Sequence, residues 1–126
     1  MNPEGLVDKF LICMQERDLE GANAFMAPNC KIIFPGGHKY SSLEEIVEAA
    51  SKRYKWVKKN RDLYFTSNLD AKTRVTSIGT LYGENLYGIE FKDIRYIDVF
   101  VIEGDKIVEQ LVWNDLAESN ALTSRE

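Results

Sequence analysis

The segment Ile94-Arg95-Tyr96-Ile97-Asp98-Val99-Phe100-Val101-Ile102 is nearly continuous in β-branched and aromatic residues, and Glu103-Gly104-Asp105-Lys106 follows it. A run of this composition closed by Gly-Asp reads as the first strand of a hairpin. A strand with one wet face alternates, so this one is expected to be covered on both faces. Asp98 stands in its middle. A carboxylate there must be hydrogen-bonded, paired or protonated, because burying it bare is too costly.

The hairpin register says what lies beside it. A two-residue Gly104-Asp105 turn suits type II′ geometry, with glycine supplying the positive φ. Glu103 then faces Lys106, Asp98 faces Leu111, Tyr96 faces Trp113 and Ile94 faces Asp115. One face carries Tyr96, Asp98, Phe100, Leu111, Trp113 and Asp115, and it reads as the apolar lining of a pocket with a few polar groups. The other carries Ile97, Val99, Val101, Val108, Gln110 and Val112. A three-residue loop would slip the register by one and bring Gln110, Val112 and Asn114 to the Asp98 face; the two-residue loop is preferred. The Ile/Val face has no helix to cover it and predicts a homodimer through the outer face of the sheet.

The rest of the chain supplies the helices and the other strands. Leu6, Val7, Phe10, Cys13 and Met14 recur at helical spacing. A short second helix is expected from an Asp18 N-cap to about Met26, ended by Pro28. Cys30 to Phe34 reads as a short strand broken by Pro35-Gly36-Gly37. Ser42-Leu43-Glu44-Glu45 is a capping box, after which Leu43, Ile46, Ala50, Tyr54 and Val57 share one helical face. From Leu63 the period is two, with strands over 62–70, 73–83, 88–102 and 106–115. Helices first and a meander afterwards give an α+β domain, helices on one face of the sheet, spanning 1–126 as a single unit.

Composition narrows the function classes. Hydrophobic residues make up 44%, enough for a core and a pocket. The net charge is −4, and the one basic run, Lys52, Arg53, Lys55, Lys58, Lys59 and Arg61, reads as the solvated face of the third helix, so no nucleic-acid partner is expected. Cys13 and Cys30 lie in no CxxC pair and are expected to be buried thiols. The N-terminus has no basic and apolar leader pattern, and no window approaches the roughly 20 apolar residues of a membrane span, so a cytoplasmic protein without a membrane partner is expected. One histidine and two separated cysteines give no metal-ligand spacing, and no nucleotide or phosphate motif is present, so no cofactor is expected.

Three helices followed by a bent sheet ending in a long hairpin resemble the nuclear transport factor 2-like superfamily, with its SnoaL-like and ketosteroid-isomerase-like proteins. The matching stretches are Arg17-Asp18-Leu19-Glu20-Gly21, Tyr96-Ile97-Asp98-Val99-Phe100, Gly104-Asp105-Lys106-Ile107-Val108-Glu109 and Val112-Trp113-Asn114-Asp115-Leu116. The resemblance implies a cone-shaped, strongly bent, mixed or antiparallel sheet with three helices on its concave face. It places Asp98 at the strand aspartate that, in ketosteroid isomerase, is the protonated partner of the oxyanion hole. The tyrosine sharing that role is replaced by Phe10, and the base before the proline is replaced by Phe34. The Arg-x-Asp pair of limonene epoxide hydrolase has Tyr96 at its first position. A SnoaL-like use of Asp98 as general acid/base stays compatible.

Each candidate has a plain structural alternative. Asp98 is either a general acid/base in an apolar cone or a structural carboxylate satisfied by its neighbours. Asp115 either pairs with Arg95 or Lys92 or acts as a second pocket carboxylate. His38 is a loop histidine near the expected pocket mouth. Tyr54, Tyr96, Phe100, Trp113, Phe10, Phe34 and Leu111 are the candidate ligand contacts, with packing in the core as the plain alternative, the more common use of a tryptophan such as Trp113. Two functions follow: a cofactor-free isomerase, cyclase or dehydratase acting on a small apolar, carbonyl-bearing or polycyclic molecule, or a non-catalytic binding module of the same shape.

Overall fold

The computed structural model describes residues 2–124. Helix α1 spans Pro3–Gln15, α2 Leu19–Asn23 and α3 Leu43–Ser51, and the strands are β1 Met26–Phe34, β2 His38–Tyr40, β3 Tyr54–Leu69, β4 Lys72–Asn85, β5 Glu90–Glu103 and β6 Lys106–Asn114. They form one open sheet in the order β2-β1-β6-β5-β4-β3. Every neighbouring pair is antiparallel except β1 and β6, so the sheet is mixed. The α+β class and the helix-covered sheet are as expected.

The helices start where polar side chains catch free amides. Asn2 Oδ1 accepts from Gly5 N at 2.6 Å, Asp18 Oδ1 from Gly21 N at 3.0 Å, and Ser42 Oγ from Glu45 N at 3.2 Å. The Glu45 carboxylate reaches back to Ser41 N, one residue earlier than a strict capping box requires. Leu6, Val7, Phe10 and Leu11 of α1 and Leu43 and Ile46 of α3 then bury against Val75, Phe100, Ile102 and Ile107 of the sheet. Phe10 meets Phe100 edge to face at 5.7 Å. Each fully buried ring of this kind contributes about 2–3 kcal/mol by leaving water.

Several boundaries move. Helix α3 ends at Ser51, so Tyr54 and Val57 lie on β3 instead of on a helix face, and the basic run lies mostly on a strand. The aromatic and β-branched residues Tyr54, Trp56 and Val57 favour a pleated strand over another helical turn. Helix α2 stops at Asn23, and β1 begins at Met26. Pro28 is tolerated inside β1 because the register with β6 breaks between Met26 and Lys31, where no ladder bond asks for its missing amide. His38 opens β2, after a Gly36-Gly37 turn with φ of +84° and +80°.

The hairpin register carries the largest correction. The turn has two residues, Glu103 pairs with Lys106, and Gly104 has φ +63°, as expected. Ile102 pairs with Ile107, but Val101 pairs with Glu109, so Val108 is an extra residue on β6. This one-residue bulge slips the remaining pairs and flips the face of every later β6 side chain. Asp98 therefore faces Val112, Tyr96 faces Asn114 and Phe100 faces Gln110. Leu111 and Trp113 turn to the outer face, where Trp113 is 53% exposed. Gln110, Val112 and Val101 are buried instead of forming the outer patch. The continuous apolar run is covered on its inner side, while Ile97 stays 41% exposed outside.

Candidate functional site

The concave face of β5 carries Tyr96, Asp98 and Phe100, all buried. Asp98 is 1% exposed, and neither of its oxygens has a hydrogen-bond partner among the described residues. Its ladder neighbours are Ser77 of β4 and Val112 of β6. The cation beside it is Lys59 of β3, with Nζ 3.5 Å from Asp98 Oδ2 and 26% of the side chain exposed. At that distance the contact is an ion pair with little hydrogen-bond character. Burial pushes the Asp98 carboxyl above its ordinary range, and the charge of Lys59 pulls against that push.

Lys59 is positioned from three sides. Its backbone amide donates to Gln15 Oε1 at 3.1 Å, tying the end of α1 to β3. Its ammonium lies 4.9 Å from the centroid of the Tyr96 ring, a favourable cation–π arrangement. Tyr96 is itself fixed, since its hydroxyl is 2.9 Å from Ser77 Oγ. Burial, partly offset by Ser77, raises that phenol to about 12, so it stays neutral. The ring packs across Gly79, where a Cβ would stand 3.0 Å from Tyr96 Cε2 and 1.8 Å from the Asn60 carbonyl oxygen. Further along the same face, Asp8 of α1 accepts from Arg61 Nε and Tyr64 Oη, both at 2.5 Å.

A cavity of about 80 Å³ opens between the end of α1, α3 and β3. Leu11, Met14, Phe34, Ile46, Tyr54 and Val57 supply its apolar walls, and Gln15, Arg17, Lys58, Lys59 and Gln110 its polar groups. The space suits two or three waters at about 30 Å³ each, so a ring-sized ligand requires the walls to widen. Lys59 both lines the cavity and reaches Asp98, which sits behind it. Gln110 is 5% exposed, and its Oε1 has no partner among the described residues. A larger cleft of about 600 Å³ near the β4–β5 connection is lined by Asn85. There the amide is fully used: Asn85 Nδ2 donates to Ala121 and Thr123 carbonyls, and its Oδ1 accepts from Tyr87 and Ile89 amides. That satisfied group pins the C-terminal turns and leaves no chemistry unexplained.

The candidate residues therefore separate. Asp98 and Tyr96 are together on the concave face, and Phe34 and Tyr54 line the neighbouring cavity. Phe10 and Phe100 are core, packed on each other. Leu111 and Trp113 lie outside for the reason given by the bulge. Asp115 accepts from Arg95 Nε at 2.6 Å, the pairing alternative, and lines a cleft of about 400 Å³ with Ile97 and Trp113, apart from Asp98. His38 is exposed and lines none of these cavities. Cys13 and Cys30 are half-buried free thiols, and burial with Glu109 nearby raises Cys30 to about 11. Lys59 and Gln110 are the additions. Lys59 was hidden inside a basic run, and Gln110 would have been found only with the slipped register.

No family model matches the sequence, and no curated protein matches it either. Solved structures do. A nuclear transport factor 2-like protein of unknown function from Burkholderia pseudomallei superposes with a TM-score of 0.81 at 18% identity, covering 97% of each chain. TerC, crystallised with polyporic acid, gives 0.80 at 15% identity over 94% of this chain and 95% of its own. A putative SnoaL-like polyketide cyclase from Shewanella putrefaciens gives 0.73 at 15% identity over 97% and 86%. The chain has the nuclear transport factor 2-like cone fold.

Proposed function

We propose that the protein binds a small, mostly apolar molecule at the cavity beside Lys59 and moves a proton on it through Asp98, as a cofactor-free isomerase, cyclase or lyase. The observation that carries this reading is Asp98 itself, a fully buried carboxylate with no hydrogen bond among the described residues and a lysine at 3.5 Å. Buried polar groups are almost always satisfied, and one left bare behind a lysine that lines a cavity fits a task better than a scaffold. A carboxyl raised by burial, beside an ammonium that favours its ionised form, is a group that can serve as acid and as base. The fold is shared with a protein crystallised with polyporic acid, which supports a small-molecule ligand. Phe10 and Phe34 stand where a tyrosine and a second base would be expected, so the proton chemistry falls to Asp98 with Lys59 as its partner.

The outer face supports self-association. Leu63, Phe65, Ile97 and Trp113 are exposed there around Ile78, Val99 and Leu111, an apolar surface of the kind that a second copy covers.

Incubating the protein in D2O with a panel of small ketones, 1,3-diketones and lactones tests the proton transfer without a known substrate. Enzyme-dependent deuterium incorporation at a carbon next to a carbonyl, lost in Asp98→Asn, is expected. Incorporation unchanged in Asp98→Asn overturns the role of Asp98. Ligand-induced stabilisation with no incorporation by any compound favours the binding-module reading.

A further inference from the structure

On the reading that the cavity beside Lys59 is the ligand site, we infer that it receives a neutral hydrogen-bond donor, a hydroxyl carried on an apolar body, and that Gln110 accepts from it. Gln110 pairs with Phe100 across the β5–β6 hairpin and is 5% exposed. It lines the cavity, yet its Oε1 has no partner among the described residues. A buried amide oxygen without a donor costs free energy that folded domains rarely tolerate, and a ligand that brings the donor removes the cost. The register also puts Gln110 on the face that carries Asp98, because Asp98 faces Val112 and side chains two residues apart on a strand share a face. A hydroxyl held by Gln110 therefore stands on the same concave surface as the acid.

Other ligand chemistries fit these residues less well. An anion brings only acceptors, and the unpartnered groups at and behind the cavity, Gln110 Oε1 and both Asp98 oxygens, are acceptors already. The cations do not offset this. Lys59 is engaged by Asp98, Lys58 is exposed with its ammonium 5.8 Å from the Trp56 ring centroid, and Arg17 is exposed with Nη1 on the Met14 carbonyl. An ammonium would supply donors, but it would enter among Arg17, Lys58 and Lys59 with no acidic residue lining the cavity. A molecule with acceptors alone leaves Gln110 unsatisfied. An NH2 group gives Gln110 one hydrogen and turns the other towards the apolar walls, whereas a hydroxyl has a single hydrogen to place. Leu11, Phe34, Ile46 and Val57 then take the apolar body of the molecule.

Amide-shift NMR titration of the 15N-labelled protein tests this with phenol and with benzonitrile, a ring of similar size that accepts and does not donate. The titration runs at about pH 7, where a phenol keeps its proton. Both compounds should move the amides of Gln15, Lys59 and Gln110, phenol with a dissociation constant about fivefold or more below that of benzonitrile. Gln110→Met keeps the length of the side chain and removes its oxygen. It should bring the two compounds within about twofold while Tm stays equal or rises, since no bare buried acceptor remains. Benzonitrile binding as tightly as phenol, or tighter, in the wild type overturns the donor inference and leaves the small-molecule cavity standing. A Gln110→Met protein that keeps the preference for phenol, or that loses stability because its amide was already satisfied, overturns the role of Gln110. If neither compound moves those amides, the inference and the ligand site beneath it fall together.

Discussion

Replacing Asp98 by leucine should make the protein more stable at neutral pH. The carboxylate is 1% exposed, its oxygens lack hydrogen bonds among the described residues, and the neighbouring ammonium is partly solvated at 3.5 Å. An unsatisfied buried polar group costs about 1–3 kcal/mol, and well-packed apolar replacements of poorly satisfied buried ions are often stabilising. Leucine is of similar size, and Lys59 can turn its head to water from the edge strand. A gain of about 1–3 kcal/mol is expected, which for a domain of this size is about 3–5 °C of Tm per kcal/mol. The pH dependence fixes the cause. Because burial raises the folded pKa of Asp98, the wild-type carboxyl favours folding most below its unfolded value of 3.8 and does so less as pH rises through the folded value. The advantage of Asp98→Leu should therefore be smallest below pH 3.8 and larger at pH 7.5 in calorimetric scans. A leucine variant that is less stable at pH 7.5, or whose advantage is flat with pH, refutes the reasoning.

Other perturbations test the frame around the site. Gly79→Ala should cost about 3 kcal/mol in a denaturant titration, because the added Cβ meets the Asn60 carbonyl at 1.8 Å and the Tyr96 ring at 3.0 Å. Burial raises the Asp8 carboxyl, but the bonds from Tyr64 and Arg61 outweigh it and the net direction is down. Asp8 therefore stabilises the fold above its unfolded value of 3.8, a contribution lost as pH falls further. With 35% of that side chain exposed, Asp8→Asn should cost only about 0.5–1 kcal/mol at pH 7 and nothing near pH 2. Sedimentation at micromolar concentration should show a dimer for the wild type and a monomer for Ile97→Lys with Trp113→Glu; a strictly monomeric wild type rules out the outer-face association.

Much of this was legible from residues alone, for physical reasons that also mark the failures. Asp18 and Ser42 each cap a helix because a short polar side chain before an apolar-periodic run has few better uses. The Gly104-Asp105 turn and the burial of Asp98 followed from turn chemistry and from an acid embedded in β-branched residues. The bulge at Val108 left no local signal, since Ile107-Val108-Glu109 alternates equally well with or without it, and one unpaired residue reversed Leu111, Trp113 and Asp115. Lys59 was hidden because Tyr54 and Val57 fit the helical period of α3 as well as a strand, and only the sheet decides between them. The cation that matters to Asp98 lies 39 positions away and two strands across, a relation that sequence spacing does not encode.

The central claim is that burial raises the Asp98 carboxyl and that Lys59 moderates the rise. A 13C NMR titration of the Asp98 carboxyl in wild type and in Lys59→Met measures both halves. The account predicts a wild-type pKa above 3.8 and a higher one in the variant, because the ammonium that favours the charged form is gone. A carboxyl that titrates at or below 3.8, or that ignores the loss of Lys59, contradicts it.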